Sequence, residues 1–392
     1  MKTALHSICL TGAALALISP VSFGAESITE VFEESKITLN LRLRFEDVDV
    51  DGVNDRDLLS LKTRLTYSTG ELKGLSGLLE MDDVTHFSDF EGGVADPEGT
   101  EVNQVYLAYK NWDTTFKYGR QRIILDNQRF VGGVGFRQNE QTYDGFSVSN
   151  TSIGDTEFFL ANIDNVNRIF GESVAIGDHE NSTILFNAKY SGLSFGAITA
   201  YAYLMDNKDA AGLSNDTYGI RFAGKQDIFS YALEYATQSD ADNNPANYDA
   251  NYTLVEGGAK LGPVNVTLGY EVLGTDGTNG RFITPLATLH AFQGWTDVFL
   301  GGGSGNVAGG IEDIYLKAAA KFAGLNFLVI YHQLGADDDS ANGGIDDYGS
   351  EIGFQVAKSW EHYGLSFKIA DYSADDFALD TRKFWLTATA KF

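Results

Sequence analysis

From Ile37 the chain places Ile37, Leu39, Leu41, Leu43 and Phe45 on one parity and Lys36, Thr38, Asn40, Arg42, Arg44 and Glu46 on the other. Such strict alternation builds a strand with one apolar and one polar face, because successive side chains point to opposite sides. The pattern returns along the whole chain. Leu59, Leu61, Leu65 and Tyr67 alternate with Ser60, Lys62, Arg64 and Thr66, and Val264, Val266, Leu268 and Tyr270 alternate with Asn265, Thr267, Gly269 and Glu271. The last segment sets Phe384, Leu386, Ala388, Ala390 and Phe392 against Trp385, Thr387, Thr389 and Lys391. With 43 glycines, 5 prolines, 19 tyrosines and 26 phenylalanines, the composition favours strands and turns over helices.

The connections alternate short and long. Tight turns fall near Gly70 to Gly74, Asn111 to Asp113, Ser191 to Gly192, Leu261 to Gly262 and Ala323 to Gly324; longer polar stretches lie around 47–57, 87–100, 126–140, 171–181, 275–309 and 336–347. A soluble sandwich would use the same alternation with its apolar face inward, whereas a membrane barrel turns that face outward around a polar lumen. Strands of about 10 to 13 residues exceed the soluble mode and match a tilted membrane crossing. Aromatics near strand ends, such as Trp112, Tyr190 and Trp360, suit interfacial girdles. A final strand ending on Phe392 resembles the targeting signature of bacterial outer-membrane proteins. The expectation is an all-β chain forming a transmembrane antiparallel β-barrel of about eighteen strands, with short periplasmic turns and long external loops. An open sheet edge is forbidden in lipid, so length that would otherwise suggest two or three domains becomes one, residues 35–392.

Residues 1–25 carry Lys2, an apolar run and the small-residue exit Ser22 to Ala25, the pattern of a secretory signal peptide cleaved after Ala25. Residues 26–34 are then a periplasmic N-terminal segment, and loss of Cys9 leaves a chain without cysteine. No later run of roughly 18 apolar residues offers a transmembrane helix.

The formal net charge of -26 excludes nucleic acid as a partner, since phosphate binding needs a basic footprint. Assigning the apolar parity to lipid sends Lys36, Arg42, Arg44, Lys62, Arg64, Lys110, Lys117, Arg221, Lys225, Lys317, Lys321 and Lys368 inward. Fewer acids join them: Glu46, Glu80, Asp82, Glu234 and Glu271. The remaining acids, including Asp47, Asp49, Asp55, Asp57, Asp89, Asp96, Asp337 and Asp375, fall in the external loops. The pore wall is therefore expected to be net basic and to favour anions. The competing reading is that these charges solvate a wet interior or neutralise one another across strands.

The stretch from Gly119 to Gly145 contains Gly119-Arg120-Gln121, then Arg129, Arg137-Gln138 and Asp144-Gly145 in order, and a second distinctive block runs from Thr284 to Trp295. These residues resemble the alginate-export family of outer-membrane channels. The resemblance implies an eighteen-stranded barrel conducting an anionic polysaccharide or other solute, with Arg120, Arg129, Arg137 and Asp144 as pore-lining or constriction residues. Arg120 shares parity with Phe116 and Tyr118, so it faces inward only if a bulge intervenes. The 275–309 loop is poor in charge and holds Leu286, His290 and Trp295, too apolar for an exposed loop, and is expected to fold into the barrel and narrow it, or else to pack against other loops or lipopolysaccharide.

The six histidines show no metal-binding spacing, no nucleophile elbow is present, and an enzyme is not expected. Cofactors are likewise not expected, although Asp338, Ser340, Asn342, Gly343 and Asp346 partly resemble a calcium loop, with Gly349 where glutamate should stand. The reading is a porin of the Gram-negative outer membrane for passive diffusion of small anionic or sugar-like solutes. Its partners are outer-membrane lipid and lipopolysaccharide. The alternatives are export of an anionic polysaccharide such as alginate, with periplasmic export partners, and a surface receptor or adhesin.

Overall fold

The computed structural model describes residues 25, 27–88, 94–278 and 280–392; the expected signal peptide lies almost wholly outside them. The described residues form eighteen strands in one sheet. In chain order these are β1 (Lys36–Val50), β2 (Arg56–Ser68), β3 (Leu75–His86), β4 (Gly99–Asn111), β5 (Thr114–Gln121), β6 (Thr142–Ile153), β7 (Thr156–Asn167), β8 (Asp178–Leu193) and β9 (Gly196–Met205). The second half holds β10 (Asn215–Gln226), β11 (Phe229–Asp240), β12 (Asp249–Leu261), β13 (Val264–Leu273), β14 (Ile311–Phe322), β15 (Leu325–Gly335), β16 (Asp347–Ser359), β17 (Tyr363–Ala374) and β18 (Thr381–Lys391). Each strand pairs antiparallel with its sequence neighbours, and β18 pairs back onto β1, Leu43 facing Ala388 on one side and Leu61 on the other. The ring is thus closed, each strand pairing with a neighbour on both sides, as a lipid environment demands.

The alternation sorts side chains between two faces. Leu43, Leu65, Leu268, Leu316 and Leu386 are exposed on the outer surface, whereas Arg44, Glu46, Lys62 and Trp385 are buried within. The short turns and both ends of the barrel chain lie at one end, and the long connections lie at the other. At the β4–β5 turn Trp112 and Asp113 adopt φ of 49° and 54°, the left-handed pair that matches the twist of a tight hairpin. The β8–β9 turn falls after Leu193, slightly later than the expected Ser191 to Gly192, because β8 continues through an irregular register beyond Tyr190.

A six-residue helix, α1 (Ile28–Glu33), precedes β1 and is capped by Ser27, whose Oγ accepts from Glu30 N. No helix among the described residues is long and apolar enough to cross a membrane, which says nothing about the strands.

Candidate functional site

Strand β5 stops at Gln121, and the chain then turns into the barrel instead of continuing outward. This corrects the expectation that 126–140 is an external loop. The segment 122–141 is held inside by charge: Arg122 Nε donates to Glu140 at 2.6 Å and its Nη2 to Glu80 at 3.0 Å. Arg64 lies 2.8 Å from Glu140 and also bonds Asp82, while Lys62 stands 3.8 Å from Glu140. A bulge in β4 brings both Asn103 and Gln104 onto Glu80, at 2.7 and 2.8 Å. Further along, Arg137 spans Glu46 at 3.0 Å and Asp297 at 2.8 Å. Arg42 donates to Gln138 Oε1 and the Gly135 carbonyl, both at 2.8 Å. Arg44 lies over the Phe136 ring at 4.3 Å and 3.7 Å from Asp96. Arg129 is fully buried, bonding Glu271 at 2.7 Å and Thr284 at 3.2 Å, so it braces the loops rather than facing an open pore.

The segment between β13 and β14 also enters the barrel. Glu351 of β16 accepts the backbone N–H groups of Trp295 and Thr296, the second at 3.0 Å. His290 Nδ1 meets Asp297 at 2.8 Å, and its Nε2 receives Lys368 Nζ of β17 at 2.9 Å. That ammonium sits over Trp295, Phe136 and Trp385 at 3.9, 4.7 and 5.4 Å. With Lys368 donating as an ammonium, Nε2 accepts and the imidazole is neutral. Burial pushes His290 down to about 3; the Lys368 and Arg137 charges push the same way, and Asp297 opposes them. Leu286 and Trp295 are buried in the same assembly.

The two inward loops bond each other across the lumen. Gly132 N donates to the Leu286 carbonyl at 2.8 Å, and Thr288 N donates to the Gln128 carbonyl at 3.1 Å. A Cβ on Gly132 would stand 2.3 Å from Thr288 Oγ1, so this approach requires glycine.

The alternation carries Lys36, Arg42, Arg44, Lys62, Arg64, Lys117, Arg221, Lys225, Lys317 and Lys321 to the inner face. Lys117 and Lys317 are partly exposed there, over the rings of Tyr106 at 4.8 Å and Tyr315 at 5.5 Å; Lys36, Lys225 and Lys321 are exposed near the short-turn end. Arg221 is ion-paired with Glu234.

Arg120 and Asp144 require correction as pore-lining residues. The β4–β5 and β5–β6 ladders run through Arg120 without a bulge, leaving it on the outward parity with the exposed Tyr118. Its Nε bonds Asp144 at 2.9 Å, and its Nη1 bonds the Val102 carbonyl at 3.0 Å and Glu172 at 2.6 Å. Where β5 leaves the wall, β4 loses a ladder neighbour, and Arg120 supplies a donor to the vacated edge. Asp96 also departs from the external-loop assignment, being buried and accepting from Gln138 N at 2.6 Å. Inward acids missed in the sequence include Glu140 and Asp297 on loops and Glu256, Asp313 and Glu351 on strands. Trp385, a large aromatic on the polar parity of β18, was a legible sign of a packed lumen. In the calcium-like loop, Asp338 accepts from Ser340 and Asn342 Oδ1 accepts from Ile345 N, both serving the turn itself.

A closed antiparallel ring of eighteen strands, apolar outside and charged within, with long loops at one end, defines a β-barrel channel of the Gram-negative outer membrane. The alginate-export family matches residues 36–271, more than half of the chain, and the chain belongs to that family. Solved structures agree on the fold. OccD3 (OpdP) of Pseudomonas aeruginosa is 14% identical with a TM-score of 0.71 over 95% of this chain and 98% of its own. OccK3 (OpdO) of the same organism is 15% identical with a TM-score of 0.73, covering 93% and 97%. The outer membrane protein OpdK, also from P. aeruginosa, is 14% identical with a TM-score of 0.73, covering 92% and 99%. No curated protein matches.

Proposed function

We propose that this channel is a non-enzymatic porin for passive diffusion of small anionic or sugar-like solutes. The observation that carries the reading is the division of charge on the inner wall. The lumen carboxylates Glu46, Glu80, Asp82, Glu140, Glu234, Glu271 and Asp297 are engaged by arginines. Lys36, Lys117, Lys317 and Lys321 make no ion pair with the described residues and remain open to solvent. Against them on the wetted wall stand the inward acids Asp126 and Glu256, which accept from Asn187 and Tyr315, whereas Asp313 and Glu351 are buried against His332 and the Thr296 amide. A surplus of unpaired lysines on a wetted wall favours anions. OpdK, solved with vanillate, gives a structural neighbour associated with a small aromatic carboxylate.

Reversal potentials across a planar bilayer in a potassium chloride gradient test this. Anion selectivity is expected, reduced by Lys117→Gln with Lys317→Gln and unaffected by Arg120→Gln, because Arg120 lies outside the lumen. Cation preference in the unaltered channel would overturn the reading; absence of conductance would favour a receptor or adhesin. Membership of the alginate-export family favours a second reading, export of an anionic polysaccharide, for which the two joined loops must separate to admit a polymer.

A further inference from the structure

We infer that α1 is a membrane-surface anchor whose Ile28 and Phe32 enter the periplasm-facing leaflet of the outer membrane. These residues stand one helical turn apart on one face, 68% and 66% exposed, while Glu30, Glu33 and Glu34 supply the polar remainder. The helix is fixed at the rim rather than free. Gly70 N donates to the Val31 carbonyl at 3.1 Å, and the Ser35 and Tyr67 hydroxyls meet at 3.0 Å. Tyr67 belongs to the outward face, opposite the exposed Ile37 and Leu79. Docking is close: a Cβ on Gly70 would lie 2.8 Å from Glu34 Cβ.

The surface that covers Ile28 and Phe32 follows from their place on this rim. Exposed aromatics mark the short-turn end at Trp112, Phe195, Phe229, Phe322, Trp360, Tyr363 and Phe392, forming the girdle expected at the boundary between acyl chains and headgroups. The β2–β3 turn, residues 69–74, has no aromatic of its own, and α1 docks at that turn. Phe32 therefore continues the girdle there, and the occupant is phospholipid.

The test uses the full-length chain with Cys9→Ser, folded into phosphatidylethanolamine and phosphatidylglycerol vesicles and spin-labelled at Phe32→Cys, Ile28→Cys, Glu33→Cys or Phe322→Cys. Labels at 32 and 28 should match the girdle position 322, with high oxygen accessibility and a severalfold lower nickel-chelate accessibility than at 33. Equal nickel-chelate accessibility at 28, 32 and 33 would overturn the anchor. Two independent labelling positions on the apolar face keep the result decisive if one variant folds poorly.

Discussion

Excision of residues 285–299 is expected to raise single-channel conductance severalfold, because the segment lies inside the lumen against β16 and β17 rather than over the mouth. Its neck is already closed: Thr284 N donates to the Ser304 carbonyl at 2.7 Å, and Gly305 N to the Leu300 carbonyl at 2.9 Å. Removal therefore leaves a short turn between residues held near each other. The cost in stability is real, since Leu286, Trp295 and Phe299 are buried and each such apolar side chain contributes roughly 2 kcal/mol. Glu351 and Lys368 also lose their loop partners. The closed ladder from β1 to β18 does not depend on those contacts, so the barrel should still fold with a lower Tm. Unchanged conductance in a folded variant would mean that the segment does not limit the conducting path.

Acidification is expected to loosen the same loop through His290. The docked imidazole faces Asp297 on its own loop, Lys368 on β17, Arg137 and Phe136 on the other loop, and Trp385 on β18. With the docked value near 3 and an ordinary free value of 6.5, protonation favours the released loop. Docking is thus fully stable above 6.5 and weakens as pH falls towards 3, by about 1.4 kcal/mol per pH unit. Between pH 6.5 and 4.5 that amounts to roughly 50-fold in the docking equilibrium, the free imidazole being half protonated at the upper limit. Asp297 does not compete in this window, because the His290 contact and nearby Lys383 and Arg137 charges hold its carboxyl well below the ordinary range. Single-channel recordings should show rising open-state occupancy on acidification. His290→Gln, able to accept from Lys368 and donate to Asp297 without titrating, should flatten the response. An identical pH profile in that variant would assign the effect to another group.

The barrel was legible because its signal is local. Each strand announces its two faces within a few residues, as Leu43 and Arg44 or Leu386 and Trp385 do, and closure follows from the requirement to pair every backbone group in lipid. Parity also read Arg120 correctly as outward where the family resemblance pointed to the lumen. The apolar 275–309 stretch signalled a protected environment for the same local reason. The polar segment 122–141 carried no such mark, because ion pairs hold it inside and its partners are distant in the chain.

By itself, then, the amino-acid order determined the ring, its outer face and the parity of its charges. The tertiary structure decided which of those charges remain available. Arg137 meets Asp297 across 160 residues and Arg129 meets Glu271 across 142. Alternation assigns a side chain to a face, but neutralisation depends on which groups come within a few ångströms of one another, and the two inward loops create those distances only when the barrel has closed around them.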